Sequence, residues 1–185
     1  MNAFYHVPKP STEPIRSYLP GSNERASLKV ELARQAAEVV KVPRIIGGQE
    51  IHMETTVDIV MPHNHGHVLA KCSIAGEKEL KMAIDAAIAA KEEWENTPWE
   101  HRASVFLRAA ELLCGPYRDK VNASTMLGQS KTAFQAEIDA ACEFADFFRF
   151  NAYYAEQIFS MQPENAPTVW NRQSYRPLDG FVVAI

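Results

Sequence analysis

The sequence predicts an α/β fold, and three features carry that expectation. Apolar residues recur at helical spacings of three and four through most of the stretch from Glu77 to Ile158. Shorter segments before it, Thr56–Met61 above all, alternate in the two-residue period of a half-buried strand. The final residues, Gly180-Phe-Val-Val-Ala-Ile185, read as the start of a buried strand in a mostly parallel sheet, which needs neighbours on both sides. A chain that stops at such a strand is expected to be the N-terminal portion of a longer protein.

Residues 1–24 carry Pro8, Pro10, Pro14 and Pro20 and are expected to form an extended arm lying on the surface. From Asn23 the pattern turns helical, with Leu28, Leu32, Ala36 and Val39 on one side, and Pro43 ends it. Arg44-Ile-Ile, Gly47-Gly48 and Glu50-Ile-His-Met spell a hairpin. Thr56–Met61 follows as a strand, Pro62–Gly66 as a turn, and His67–Ile74 as a second strand.

A helix is then expected from Glu77 to near Asn96, with Leu80, Ile84, Ala87, Ile88 and Trp94 facing inward. Thr97-Pro98-Trp99-Glu100 has the form of a capping box with Thr97 as N-cap. The helix it opens would bury Val105, Phe106, Ala109, Leu112 and Leu113 and stop at Gly115-Pro116. A shorter helix runs from about Tyr117 to Gly128.

The stretch Leu127–Ile158 is expected to form one long helix entered through a polar turn. Phe134, Ile138, Ala141, Ala145, Phe148 and Ala152 make one apolar stripe. Phe147, Phe150, Tyr154 and Ile158 make a second, with Glu143 at its head. A helix apolar on two sides has to be covered on two sides. A loop with Pro163 and Pro167 follows, then Ser174–Gly180 as a strand and turn.

At 185 residues with 46% apolar content the chain can bury a core, so disorder is excluded. A net charge of −4 gives no footprint for nucleic acid or for an anionic membrane surface. No apolar run reaches the roughly 20 residues that span a bilayer. The N-terminus has neither a secretory nor a transit pattern. Three cysteines, Cys72, Cys114 and Cys142, lack CxxC spacing, which points to a reducing cytoplasm; the mitochondrial matrix is the expectation only if the source is eukaryotic.

Few residues carry chemistry by pattern alone. No Walker A or GxGxxG motif is present to cradle phosphate. His63, His65 and His67 alternate as metal ligands on a strand would, but Pro, Asn and Gly interrupt them and no carboxylate or thiol completes the set, so no metal site is expected. Ser130 and Lys131 are adjacent and lack the SxxK spacing of acylating enzymes. Asp146 and Arg149 can pair across one turn, a weak structural contact. Cys142 falls in the core stripe and is expected to pack there as a small hydrophobe. Glu143 is costly to bury alone among aromatic rings, so it calls for water, a basic partner or a cationic ligand group.

GQSKTAFQAEIDAACEFADFFRFNAYYAEQ, with Met61–His67, Ala86–Trp94, Arg102–Ala110 and Tyr175–Ile185, resembles the matching segments of 1-pyrroline-5-carboxylate dehydrogenases in the aldehyde dehydrogenase superfamily. The resemblance implies the N-terminal part of the aldehyde dehydrogenase fold: arm, hairpin strands, helical layer and the start of a Rossmann-type sheet. Residues 25–185 would then be the N-terminal part of the NAD-binding domain. It implies NAD-dependent oxidation of L-glutamate γ-semialdehyde to L-glutamate by a full-length enzyme, expected to be a homo-oligomer. On the same resemblance Glu143 is a substrate-binding residue suited to the substrate ammonium group, and Ile185 a cofactor contact. The catalytic cysteine and glutamate would lie beyond Ile185. Two other readings stay open: an aldehyde dehydrogenase of different specificity, and a non-enzymatic helical interaction module.

Overall fold

The structure, a computed structural model, describes residues 5–184. After the arm, α1 (Asn23–Ala36) is capped by Ser22, whose hydroxyl accepts the Arg25 amide. It stops three residues short of the expected Val39, because Val40–Val42 is taken up as strand β1 and pairs in parallel with β5. Strands β2 (Arg44–Ile46) and β3 (Gln49–Ile51) form the expected hairpin. Gly47 and Gly48 both sit at positive φ, 56° and 78°, as a type I′ turn requires.

β4 (Thr56–Met61) and β5 (Asn64–Ser73) pair antiparallel with Met61 opposite Asn64. The turn is therefore only Pro62-His63, tighter than expected, and His65 and His67 belong to the strand. The three-stranded sheet has the order β1-β5-β4.

α2 (Glu77–Asn96) opens with the Glu79 carboxylate reaching back to the Gly76 amide at 2.9 Å, which is why an acid is its buried residue. Its expected inward stripe is open: Leu80, Ile88 and Trp94 are all exposed. Thr97 closes α2, its hydroxyl donating to the Glu93 carbonyl at 2.8 Å, and does not cap the next helix. That helix, α3 (Trp99–Cys114), follows Pro98 directly and buries Ala110 and Leu113, while Val105 and Phe106 remain exposed.

α4 (Arg118–Gln129) ends at Ser130 in the left-handed conformation (φ 57°), so the long helix starts later than Leu127. Thr132 and Gln135 form a reciprocal capping box that launches α5 (Ala133–Ala136). A π turn (Glu137–Cys142) continues into α6 (Glu143–Ser160) with helical dihedrals at both joints.

The π turn explains where the expected stripe fails. Downstream, Ala141, Ala145 and Ala152 are buried as the period requires. Upstream, one extra residue per turn moves the buried positions back by one. Glu137 is fully buried where Ile138 was expected, and Phe134 is 57% exposed. Two small cores result. One joins Tyr18, Leu28 and Ala123, and the other joins Ala110, Leu113 and Ala145 with Phe148 packed on them.

Among the described residues after α6 there is one isolated bridge, Ala166 to Val169. Ser174–Gly180 is not a strand, and neither are the described residues of the apolar run that follows. Phe181, Val182 and Val183 are exposed, since no described strand lies beside them to complete a parallel sheet. Among the described residues no helix is long and apolar enough to cross a membrane.

Candidate functional site

Glu143 is the first residue of α6, and its amide donates to the Ile138 carbonyl as the last rung of the π turn. Its side chain is exposed. At about 100° per residue, Phe147, Phe150 and Tyr154 fall within about 40° of Glu143 around the helix axis. Phe147 and Tyr154 are exposed and Phe150 is half-buried, with its ring 6.1 Å from that of Tyr154. The second stripe is therefore an open aromatic face headed by a carboxylate. Phe147 also lines a cleft of 440 Å³ between α3 and α6, with Trp99, Arg102 and Phe106 on the opposite wall. A larger groove of 740 Å³ lies between α3, α4 and the π turn, and Glu143 lines neither.

Behind this face stands a buried charge network that the sequence reading missed. Glu137 and Arg118 pair with side chains 0% and 3% exposed. The Glu137 carboxylate also accepts the Arg16 amide at 2.8 Å, the Tyr18 hydroxyl at 2.7 Å and the Asn122 amide at 2.8 Å. Arg118 extends to the arm, donating to Glu13 at 2.6 Å and to the Pro14 carbonyl at 2.7 Å. Glu13 in turn accepts from Arg149 on α6 at 2.6 Å, which leaves Arg149 only 3.9 Å from its expected partner Asp146. Asp146 keeps that long ion pair and also accepts the Glu13 amide at 2.8 Å.

The arm thus runs antiparallel to the helix, with Arg16, Glu13 and Val7 giving their amides to Glu137, Asp146 and Glu156 in turn. Burial favours the neutral acids of Glu137 and Glu13. Arg118 opposes this at Glu137, and Arg149 with Arg118 opposes it at Glu13, so both carboxyls end below the ordinary range.

Cys142 lies in this buried layer, 4% exposed, with its sulfur 3.4 Å from the Arg118 guanidinium. Burial, then the Glu137 charge, pushes its thiol up to about 11, which suits packing and not nucleophilic attack. The three histidines diverge. His63 bonds Ser130 at 2.7 Å and His67 bonds the Ala36 carbonyl at 2.8 Å, and no cluster of metal-ligating side chains occurs among the described residues. Ile185 lies outside the described residues. The network escaped the sequence reading because Glu13 and Arg118 are 105 positions apart, and no local spacing links them.

Residues 50–185 match the Aldehyde dehydrogenase family. The chain is 46% identical over 99% of its length to "Delta-1-pyrroline-5-carboxylate dehydrogenase" of Agaricus bisporus, covering 34% of that protein. It is 44% identical over 96% of its length to the human mitochondrial protein of that name, covering 31% of it. A solved Delta-pyrroline-5-carboxylate dehydrogenase from Mycobacterium tuberculosis superimposes on 98% of the chain with a TM-score of 0.95 at 47% identity, over 34% of that structure. The chain therefore spans about a third of the length of the relatives it matches. Its match over residues 50–185 and its identity along nearly its whole length place it plainly: the chain belongs to the aldehyde dehydrogenase family.

Proposed function

We propose that this chain forms the N-terminal part of a 1-pyrroline-5-carboxylate dehydrogenase, which oxidises L-glutamate γ-semialdehyde to L-glutamate with NAD. The observation that carries this reading is the identity of 44–47% with proteins of that name over 96–99% of the chain. NAD is taken as the hydride acceptor because the Mycobacterium tuberculosis relative is described as bound with NAD. No described residue is assigned a contact with it, and Ile185 is kept as the proposed cofactor contact. A homo-oligomeric state, and a cytoplasmic or mitochondrial-matrix home, belong to the same proposal. Relatives from Emericella nidulans and human are named mitochondrial.

Within this chain the proposed substrate contact is Glu143. Its carboxylate would accept a charge-assisted hydrogen bond from the substrate ammonium group, with Phe147 and Phe150 beside it on the same face. That contact binds and orients, and it moves no proton. The test is NADH formation, followed at 340 nm, by the full-length enzyme (this chain continued to the length of its relatives) given pyrroline-5-carboxylate. Turnover supports the reading; NADH from simple aldehydes but none from this substrate overturns it.

A further inference from the structure

We infer that Glu13, Arg118 and Glu137 act together as a rotational pin that fixes the direction of Glu143, making them positioning residues for recognition of the substrate amine. This rests on the proposed role of Glu143 and goes beyond it. Glu143 is exposed, and its carboxylate makes no hydrogen bond or ion pair among the described residues. The residues on either side of it along the helix are gripped from behind. Glu137, which opens the π turn, is held by Arg118, Tyr18, Asn122 and the Arg16 amide. Cys142, which closes the turn, meets the same Arg118 guanidinium at 3.4 Å and the Pro14 carbonyl at 3.9 Å. One guanidinium therefore touches both ends of the turn that leads into Glu143.

Beyond Glu143 the grip continues through Glu13, whose amide is bound by Asp146 and whose carboxylate is bound by Arg149. Viewed down the axis, Cys142, Asp146 and Arg149 lie about a quarter turn to one side of Glu143. The arm thus holds one flank and leaves the aromatic face free. A π turn packs less regularly than an α-helix, and such turns recur at functional sites. Here the core at Ala110, Leu113 and Ala145 seats α6 against α3, and the pin holds the turn that leads into Glu143 from the other side. Glu13 bridges Arg118 and Arg149, so it joins the grip before Glu143 to the grip after it.

The experiment compares Glu13→Gln, Glu137→Gln and Glu143→Ala in the full-length enzyme. It reads KM and kcat for pyrroline-5-carboxylate and for propionaldehyde, which has no amine. A positioning role predicts that Glu13→Gln raises KM for the amino-acid substrate about 10-fold, leaving kcat and the propionaldehyde constants in place. A purely structural role would shift both substrates together or neither. Equal effects on both substrates, or none, alongside a selective KM rise in Glu143→Ala, overturn the pin alone. Unchanged discrimination in Glu143→Ala overturns the parent reading and the pin with it. If Glu137→Gln fails to fold, Glu13→Asp, which keeps the charge, serves as the second variant: retention of at least half of the wild-type discrimination supports the pin, and complete loss of discrimination in the folded variant contradicts it.

Discussion

Arg118 and Glu137 form an ion pair from which water is excluded, one partner at the start of α4 and the other opening the π turn. Breaking such a pair leaves a charge buried without compensation. Glu137→Leu should lower unfolding stability by about 3–5 kcal/mol in urea denaturation. The double variant Arg118→Met/Glu137→Leu should lose less than Glu137→Leu alone. A double variant less stable than the single one contradicts this account of the pair.

The same carboxylates set an acid limit for the arm. Glu13 and Glu137 have folded pKa values below the unfolded value of about 4.3, so the unfolded chain binds more protons as pH falls. Their contribution is complete above that value and is lost as pH drops through the lowered folded values. Hydrogen exchange of the Glu13 and Arg16 amides should stay slow from pH 7 to pH 5, after correction for intrinsic rates. Protection should then fall below about pH 4. Loss of protection at neutral pH contradicts the assignment. Arg118, Arg149, Asp146, Tyr18, Cys114 and Cys142 are the other titratable groups around these two acids.

Cys142 should resist alkylation. With its thiol buried and pushed up to about 11, iodoacetamide at pH 7.5 should leave it unmodified in the folded chain and label it after denaturation, as read by peptide mass spectrometry. Rapid labelling in the folded state would mean that the helix does not pack as described.

Leu113 packs with Ala110 and Ala145 where α3 meets α6, and it is 7% exposed. Leu113→Ala should cost about 2–5 kcal/mol. A loss under 1 kcal/mol would show that this small core can collapse around the cavity.

How far the sequence could be read follows from which forces act locally. The Gly47-Gly48 hairpin and the existence and order of the helices were legible, because turn chemistry and the helical period are local signals. Thr97 misled because Thr serves equally to close the helix before it, and Pro98 starts the next helix unaided. Phe134 misled because the stripe assumed 3.6 residues per turn straight through a π turn. The stripe on α2 and the apolar run after Gly180 were expected to be buried. They stand open because nothing among the described residues packs over them. Glu143 stands out by its place at the head of an aromatic stripe, while its proposed substrate role comes from the family resemblance. The pin behind it does not stand out, since its members come together only when the arm folds back onto the helix.

The most direct test of the central claim is the ratio of kcat/KM for L-glutamate γ-semialdehyde to that for 5-oxopentanoate, measured on the full-length enzyme. The two aldehydes share a carbon chain and a carboxylate and differ only in the amine. A charge-assisted hydrogen bond donated by the substrate ammonium to Glu143 predicts a preference of about 10- to 100-fold for the amino-acid aldehyde. A ratio near one would contradict the account.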